Sequence, residues 1–287
     1  MESNFLTAVF LPLALFIIMT SMGMGLTLDD FKRISKEPKA VILGAIAQLI
    51  ILPMMGFLIA TIFPLTPELA VGLVVLTACP GGSTSNMITY LMQGNVALSI
   101  ALTAISSLIT VFTIPVIVNL AMQNFMGQGT ALQLSFLETT VKIGIITIVP
   151  VGLGMVLKYY APRFAVKAEK LAKWLSLFFL ALIIFGILLI ERENLATYIV
   201  RVGWATLTLN ISTMVLGYGI ASIIMLDRDS VKAITVEVGI QNGTLAIAVA
   251  SAPAFLNNST MAIPAGIYSL LMYFTSAIFA WWMRSKK

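Results

Sequence analysis

Residues 77–90 read T-A-C-P-G-G-S-T-S-N-M-I-T-Y and fall inside a stretch otherwise apolar enough to cross a membrane as a helix. Pro80, Gly81 and Gly82 interrupt that helix, and four small polar residues, Ser83, Thr84, Ser85 and Asn86, follow. In hydrocarbon an unpaired backbone group costs several kcal/mol, so a broken helix persists only where protein or a water-filled cavity covers it. The interruption needs a purpose, and the rest of the sequence has to supply it.

Composition sets the frame. Of 287 residues, 59% are hydrophobic and only 10% charged, and the mean hydropathy is +1.01. A soluble domain carries about 25% charged residues, so the chain reads as a polytopic, all-α protein of the lipid bilayer. The net charge of +5 does not indicate a nucleic-acid partner, because the basic residues sit in short loops between apolar runs. Histidine is absent and Cys79 is the one cysteine. An intrachain disulfide is therefore excluded, as are histidine relays, Ser–His nucleophiles and histidine-dependent zinc sites. The start, M-E-S-N-F-L, lacks the basic region of a signal peptide and no A-x-A site follows, so the first apolar stretch is read as a retained helix.

Apolar stretches of about 20 residues mark spanning helices. Nine are expected, near 5–27, 39–62, 68–91, 95–122, 134–158, 171–190, 198–225, 231–253 and 262–283. With the N-terminus outside, one side receives Lys32, Arg33, Lys36, Lys39, Lys158, Arg163, Lys167, Lys170, Lys173, Arg228, Lys232, Arg284, Lys286 and Lys287, fourteen of the 17 basic residues. Positive loops face the cytoplasm. The expected location is thus the cell membrane, with the N-terminus outside and the C-terminus cytoplasmic. Trp281, Trp282 and Arg284 are expected to anchor the inner end of the last helix, and Lys142 to snorkel toward the outer surface.

Eleven of the 12 acidic residues lie in loops or at helix ends, and the remaining one is Glu237. It falls within the eighth segment, A-I-T-V-E-V-G-I-Q-N-G-T-L-A, where Gly239, Gln241, Asn242 and Gly243 again interrupt an apolar run. The two interrupted segments are five helices apart. Five is odd, so they cross the membrane in opposite directions, as in inverted-topology repeats whose discontinuous helices meet at midplane. The first repeat would cover about 1–125, lacking one leading helix, and the second about 130–287. The alternative is that Pro and Gly merely kink two packed helices.

A broken helix offers carbonyl oxygens to a cation at one half-helix end, and N–H groups with a positive dipole to an anion at the other. Ser85 and Asn86 add oxygens at the first break. Ser99 and Thr103, four residues apart, share a helix face, and Glu237 and Gln241 have the same spacing. Gln48 is a further isolated amide at depth. Oxygen donors suit hard cations, and one carboxylate among neutral oxygens favours a monovalent ion over a divalent one. An acid at membrane depth marks function by default. Ser99 and Thr103 can equally bond their own helix backbone. The methionines, M-G-M-G at 22–25, Gly152 and Gly154 are read as packing features.

At these residues the chain resembles the bile acid:sodium symporter family, as a bacterial member. C-P-G-G-S-T-S-N at 79–86, G-N-V-A-L-S-I-A-L-T at 94–103 and E-V-G-I-Q-N at 237–242 are similar to three separate family motifs in the same order, and the likeness runs from M-G-M-G-L-T-L at 22–28 to the last helix. The resemblance implies a panel domain and a core domain, with two crossed discontinuous helices in the core. It implies two Na⁺ ions. One would be held by Ser85, Asn86, Ser99, Thr103 and Glu237, the other by Gln48, Glu237, Gln241 and the backbone carbonyls of Val238 and Ile240. An organic anion would sit near Ser83, Thr84 and Asn242. Relatives with ten helices have one more at the start than the nine counted here. The last helix carries Y-S-L-L-M-Y at 268–273, with none of the histidine some relatives place there, so the substrate is either a bile acid or a smaller carboxylate of the pantoate type.

The expected function is uptake of an organic anion driven by Na⁺ influx through alternating access. A proton-coupled carrier in which Glu237 titrates is the alternative, and a ligand-binding channel or sensor is a further one. An intramembrane hydrolase is excluded: there is no histidine and no intramembrane aspartate. Two Na⁺ per monovalent anion would move one net charge, adding about 2.3 kcal/mol of driving force per 100 mV. No sequence signal bears on oligomeric state.

Overall fold

The structure is a computed structural model that describes residues 9–30, 37–127, 134–190 and 195–285. The basic residues Lys32, Arg33, Lys36, Arg192, Lys286 and Lys287, and residues 5–8 of the first expected helix, lie outside the described residues. The described elements are helices: α1 (Leu11–Gly25), α2 (Pro38–Ile62), α3 (Pro67–Ala78), α4 (Ser83–Leu91), α5 (Val96–Met126), α6 (Phe136–Tyr160), α7 (Pro162–Ile190), α8 (Leu195–Ile223), α9 (Arg228–Gly239), α10 (Gly243–Ser251) and α11 (Ile263–Ser285). Among the described residues no strand forms, and a single antiparallel bridge joins Gly81 to Gln241.

Local chemistry sets many of the boundaries. Pro38 and Pro67 open α2 and α3, where the missing N–H costs nothing and the fixed φ is already helical. Asn95 starts α5 by accepting from the Leu98 amide, and Asp227 starts α9 by accepting from the amides of Asp229 and Ser230. Both interrupted segments stop where the sequence places small and polar residues. Cys79 and Gly82 are extended between α3 and α4, and Ile240 is extended between α9 and α10.

Five helices are long and apolar enough to cross a membrane among the described residues: Pro38–Ile62, Val96–Met126, Phe136–Tyr160, Val200–Ile223 and Thr260–Arg284. Their outer faces expose Ile42, Met54, Phe112, Ile145, Val215 and Phe274, each at least half or nearly half accessible. Water would penalise such contiguous apolar surface, whereas lipid tails would not. The fold is that of an all-α membrane protein. α3 and α10 are buried on every side, as is α9 from Ser230 to Gly239. Three of the four half-helices at the breaks are thus wrapped by others, which shields backbone groups from lipid, while α4 buries fully only Ser85 and Thr89 and exposes Tyr90 and Leu91 at its end.

α1 packs along α6 and α7, while α3 packs on α5, and α8 on α9 and α11. The α1–α6 seam explains two of the glycines. A Cβ on Gly23 would collide with the backbone carbonyl of Val151, and one on Gly154 with the carbonyl of Thr20. Small residues let these two backbones touch. Gly152, read as part of the same seam, meets nothing within 4 Å, so it is not a packing glycine of this seam. Lys142 pairs with Glu138 at 2.6 Å and donates to the Ala254 carbonyl at 3.1 Å. Trp281 is 71% exposed on the last helix, but Trp282 turns inward against Tyr218 and Phe279.

Candidate functional site

The two breaks meet each other. Gly81 bridges Gln241, and the Asn242 amide donates to the Pro80 carbonyl at 2.9 Å. Pro80 has no N–H to offer in exchange, so it costs nothing here. Gly81 has no side chain because none fits: a Cβ there would strike the Glu237 carboxylate. Backbone groups released by the two interruptions are therefore partly satisfied by one another, deep in the protein.

Glu237, on the last full turn of α9, is completely buried. Its carboxylate accepts from Ser85 at 2.7 Å, Ser99 at 2.9 Å and Thr103 at 2.5 Å. Asn86 Oδ1 lies 2.8 Å from the Ser99 hydroxyl and 3.3 Å from that of Thr103. These residues come from α4, α5 and α9 and form one cluster. Counting protons is informative. The same hydroxyls also face the Gly82 carbonyl (2.7 Å from Ser85) and the Ser99 carbonyl (3.0 Å from Thr103). Each hydroxyl carries one proton, so three protons serve more acceptor oxygens than they can satisfy. Among the described residues no lysine or arginine pairs with Glu237. An ionised, buried carboxylate in that setting lacks a positive partner, which a cation or a proton must supply.

Gln48 belongs to a π-helical turn of α2, Ala47–Ile51, the kind of local widening that recurs at functional positions. Its amide lies 2.8 Å from Gln241 Oε1 and 3.4 Å from the Cys79 carbonyl. Turned over, the amide donates to the Glu237 carbonyl at 3.2 Å and accepts from the Gly81 amide at 3.3 Å. Gln241 itself donates to the Val238 carbonyl at 2.8 Å. Val238 and Ile240, both buried, flank Gly239 at the break. One sequence argument needs correction: Glu237 and Gln241 do not share a helix face. α9 ends at Gly239 and Ile240 is extended, so the i, i+4 geometry is lost. Glu237 points to α4 and α5, Gln241 to α2.

Ser83, Thr84 and Asn242 line a different feature, a cleft with an empty volume of about 670 Å³ between α1 and the two breaks. Its other walls include Met19, Met22, Met87 and Tyr273, and among the described residues no charged side chain lines it. The amides of Ser83 and Thr84 begin α4 and have no acceptor within their own helix. Asn242 Oδ1 is already used to cap α10 through the Leu245 amide at 3.0 Å, which leaves its N–H₂ group as the free half.

Two sets of residues escaped sequence reasoning. Tyr273 lines the cleft together with Thr84. Asn210 donates to the Gly239 carbonyl at 2.7 Å and to the Tyr268 hydroxyl at 2.9 Å, and Tyr268 donates to the same carbonyl at 2.9 Å. Both side chains are fully buried and clamp the last carbonyl before the second break. The signal for Asn210 was present: it is an isolated amide within an apolar run, as is Gln48.

A helical membrane protein with two touching helix breaks, a buried acid among hydroxyls and an adjacent cleft has the architecture of a solute carrier. Residues 12–198 match the Sodium Bile acid symporter family. The chain belongs to that family, whose members are transporters and not enzymes. It is 31% identical over 280 residues to a sodium-dependent transporter of Bacillus subtilis, YocS, covering 97% of this chain and 84% of that protein. It is 30% identical over 253 residues to a probable chloroplastic sodium/metabolite cotransporter of rice, BASS1, covering 88% of this chain and 60% of that protein. It is also 28% identical over 257 residues to human sodium/bile acid cotransporter 4, covering 88% and 59% of the two chains.

Proposed function

We propose that the chain couples Na⁺ influx to uptake of an organic anion by alternating access. The carrying observation is the Glu237 cluster, a buried carboxylate with more acceptor oxygens than protons and, among the described residues, no basic side chain paired with it. Ser85, Asn86, Ser99, Thr103 and Glu237 form the first Na⁺ site. Gln48, Gln241, Glu237 and the carbonyls of Val238 and Ile240 form the second, where Gln48 and Gln241 already meet through their amides. Hydroxyl, amide and carbonyl oxygens around one carboxylate match a hard, monovalent ion.

The anion occupies the cleft beside Ser83, Thr84 and Asn242. There the positive end of α4 and its free amides receive the carboxylate, and methionines from α1, α4 and α11 receive the apolar body. The relatives are named for sodium, bile acids and metabolites, and a cleft without lysine or arginine favours a single negative charge. Helices α1, α6 and α7, which pack together, act as the panel, and α2–α5 with α8–α11 act as the core. The nine segments, the inverted repeat related by the two breaks and the outside N-terminus belong to the same reading.

Uptake into proteoliposomes under an inward Na⁺ gradient tests it, with a panel of bile salts and short carboxylates. Accumulation that needs Na⁺ and disappears in Glu237→Gln supports the reading. Accumulation that follows a pH gradient and ignores Na⁺ replaces it with proton coupling.

A further inference from the structure

A second cleft, with an empty volume of about 610 Å³, adjoins the first along α4. It shares Ser83, Met22 and Met87 with the substrate cleft but has a different character. Its polar lining is Ser21 of α1, Ser83, Asn86 and Tyr90 of α4, and Glu169 of α7. Among the described residues, Glu169 is the one charged side chain that lines either cleft. Ser21 is buried, and its hydroxyl has no hydrogen-bond partner. Asn86 connects this space to the Glu237 cluster, because its Oδ1 lies within hydrogen-bond distance of both Ser99 and Thr103. The cleft thus begins at a member of the buried oxygen cluster and reaches a carboxylate on another helix.

We propose that this cleft is a transit site for the monovalent cation, which passes from Asn86 to the Glu169 carboxylate with the Ser21 hydroxyl as a further ligand. The proposal rests on the Na⁺ reading of the Glu237 cluster. The donors are hydroxyl, amide and carboxylate oxygens, the set hard cations take. They divide between moving parts: Ser83, Asn86 and Tyr90 lie on the broken helix, while Ser21 and Glu169 lie on the α1–α7 pair. A Cβ placed on Gly25 would sit 3.4 Å from Glu169 Oε1, so the carboxylate rests against α1, one turn beyond Ser21. A cation crossing from Asn86 to Glu169 therefore leaves the core for the panel. The uncharged substrate cleft offers the ion no such exit.

Purified full-length protein, wild type and Glu169→Gln, is reconstituted for exchange of radiolabelled Na⁺ and, in parallel, melted over a range of NaCl concentrations. Exchange slowed about tenfold, equivalent to about 1.4 kcal/mol on the barrier, supports the site if the NaCl concentration for half-maximal stabilisation is unchanged. Glu169→Asp should recover part of the rate, and Ser21→Ala should slow exchange less than Glu169→Gln. Exchange at the wild-type rate in both Glu169→Gln and Ser21→Ala, with Na⁺ stabilisation intact, overturns the transit site and leaves the Na⁺ reading standing. A wild type that Na⁺ neither stabilises nor exchanges removes both. If Glu169→Gln fails to fold, Glu169→Asp and Ser21→Ala decide: slowed exchange in both supports the site, and wild-type rates in both overturn it.

Discussion

Two polar clusters inside this protein handle charge in opposite ways. Near the start of α9, Lys232 is almost buried, but its ammonium pairs with Asp229 at 2.8 Å and donates to the Gln93 carbonyl at 3.1 Å. Asn95 there donates to Glu37 at 2.9 Å and takes Asp229's backbone through its own amide, also at 2.9 Å. Positive and negative groups are matched within the chain. One and a half turns further along the same helix, Glu237 is buried among hydroxyls with no basic partner among the described residues. On the reading proposed above, a cation supplies at the Glu237 end the counter-charge that Asp229 supplies to Lys232 at the other. The first cluster fastens the α4–α5 turn to α9, and the second is the proposed cation site.

The sharpest way to break this contrast is to neutralise each member. Glu237→Gln should remove a Na⁺ increment of about 2.7 kcal/mol at a hundredfold excess over the dissociation constant. In K⁺ the same variant should melt no lower than wild type, since it no longer buries an uncompensated acid. Lys232→Met should do the reverse. It leaves the Gln93 carbonyl without its donor and costs about 1–3 kcal/mol, equally in Na⁺ and K⁺, with the Na⁺ increment preserved. Differential melting in the two salts reads both effects. A Lys232→Met variant that loses the Na⁺ increment would erase the distinction between the clusters.

Smaller changes sharpen it. Tyr268→Phe keeps the ring and removes one of the two donors to the Gly239 carbonyl, for a loss of about 1 kcal/mol. If the clamp sets the second break, the Na⁺ concentration for half-maximal uptake should rise while maximal uptake stays near wild type. Asp227 gives the smallest effect. Burial pushes its carboxyl up, but hydrogen bonds from Ser230 and the amides of Ser230 and Asp229 outweigh this and hold it below the usual range. A depressed folded-state pKa stabilises above the unfolded value of about 3.9 and is lost as pH falls through the folded one. Asp227→Ala should therefore cost about 1 kcal/mol at neutral pH, and the difference from wild type should shrink in acid melts.

Much of the architecture was legible because lipid imposes strict rules on backbone. Pro80, Gly81 and Gly82 in an apolar run, and Glu237 alone among the acids at depth, break those rules, so both interruptions were visible without coordinates. Gln48 stood out by the same logic. Less visible was which polar groups face each other. Ser85 and Glu237 meet across 152 residues of sequence, and no periodicity encodes such a pairing. The i, i+4 spacing of Glu237 and Gln241 misled because spacing assumes a continuous helix, and the helix ends between them. Asn210 and Tyr268 were hidden for a related reason. A single polar residue on an apolar helix states that a partner exists, but not whether it is a neighbouring carbonyl, a ligand or water.

On the proposed reading, Na⁺ is the positive partner of the buried Glu237 carboxylate. The most direct measurement is the melting temperature of the wild-type protein, titrated separately with NaCl, KCl and choline chloride at constant ionic strength. The account predicts a saturable rise in NaCl alone. Identical curves in the three salts would contradict it, and would leave a proton as the partner of Glu237.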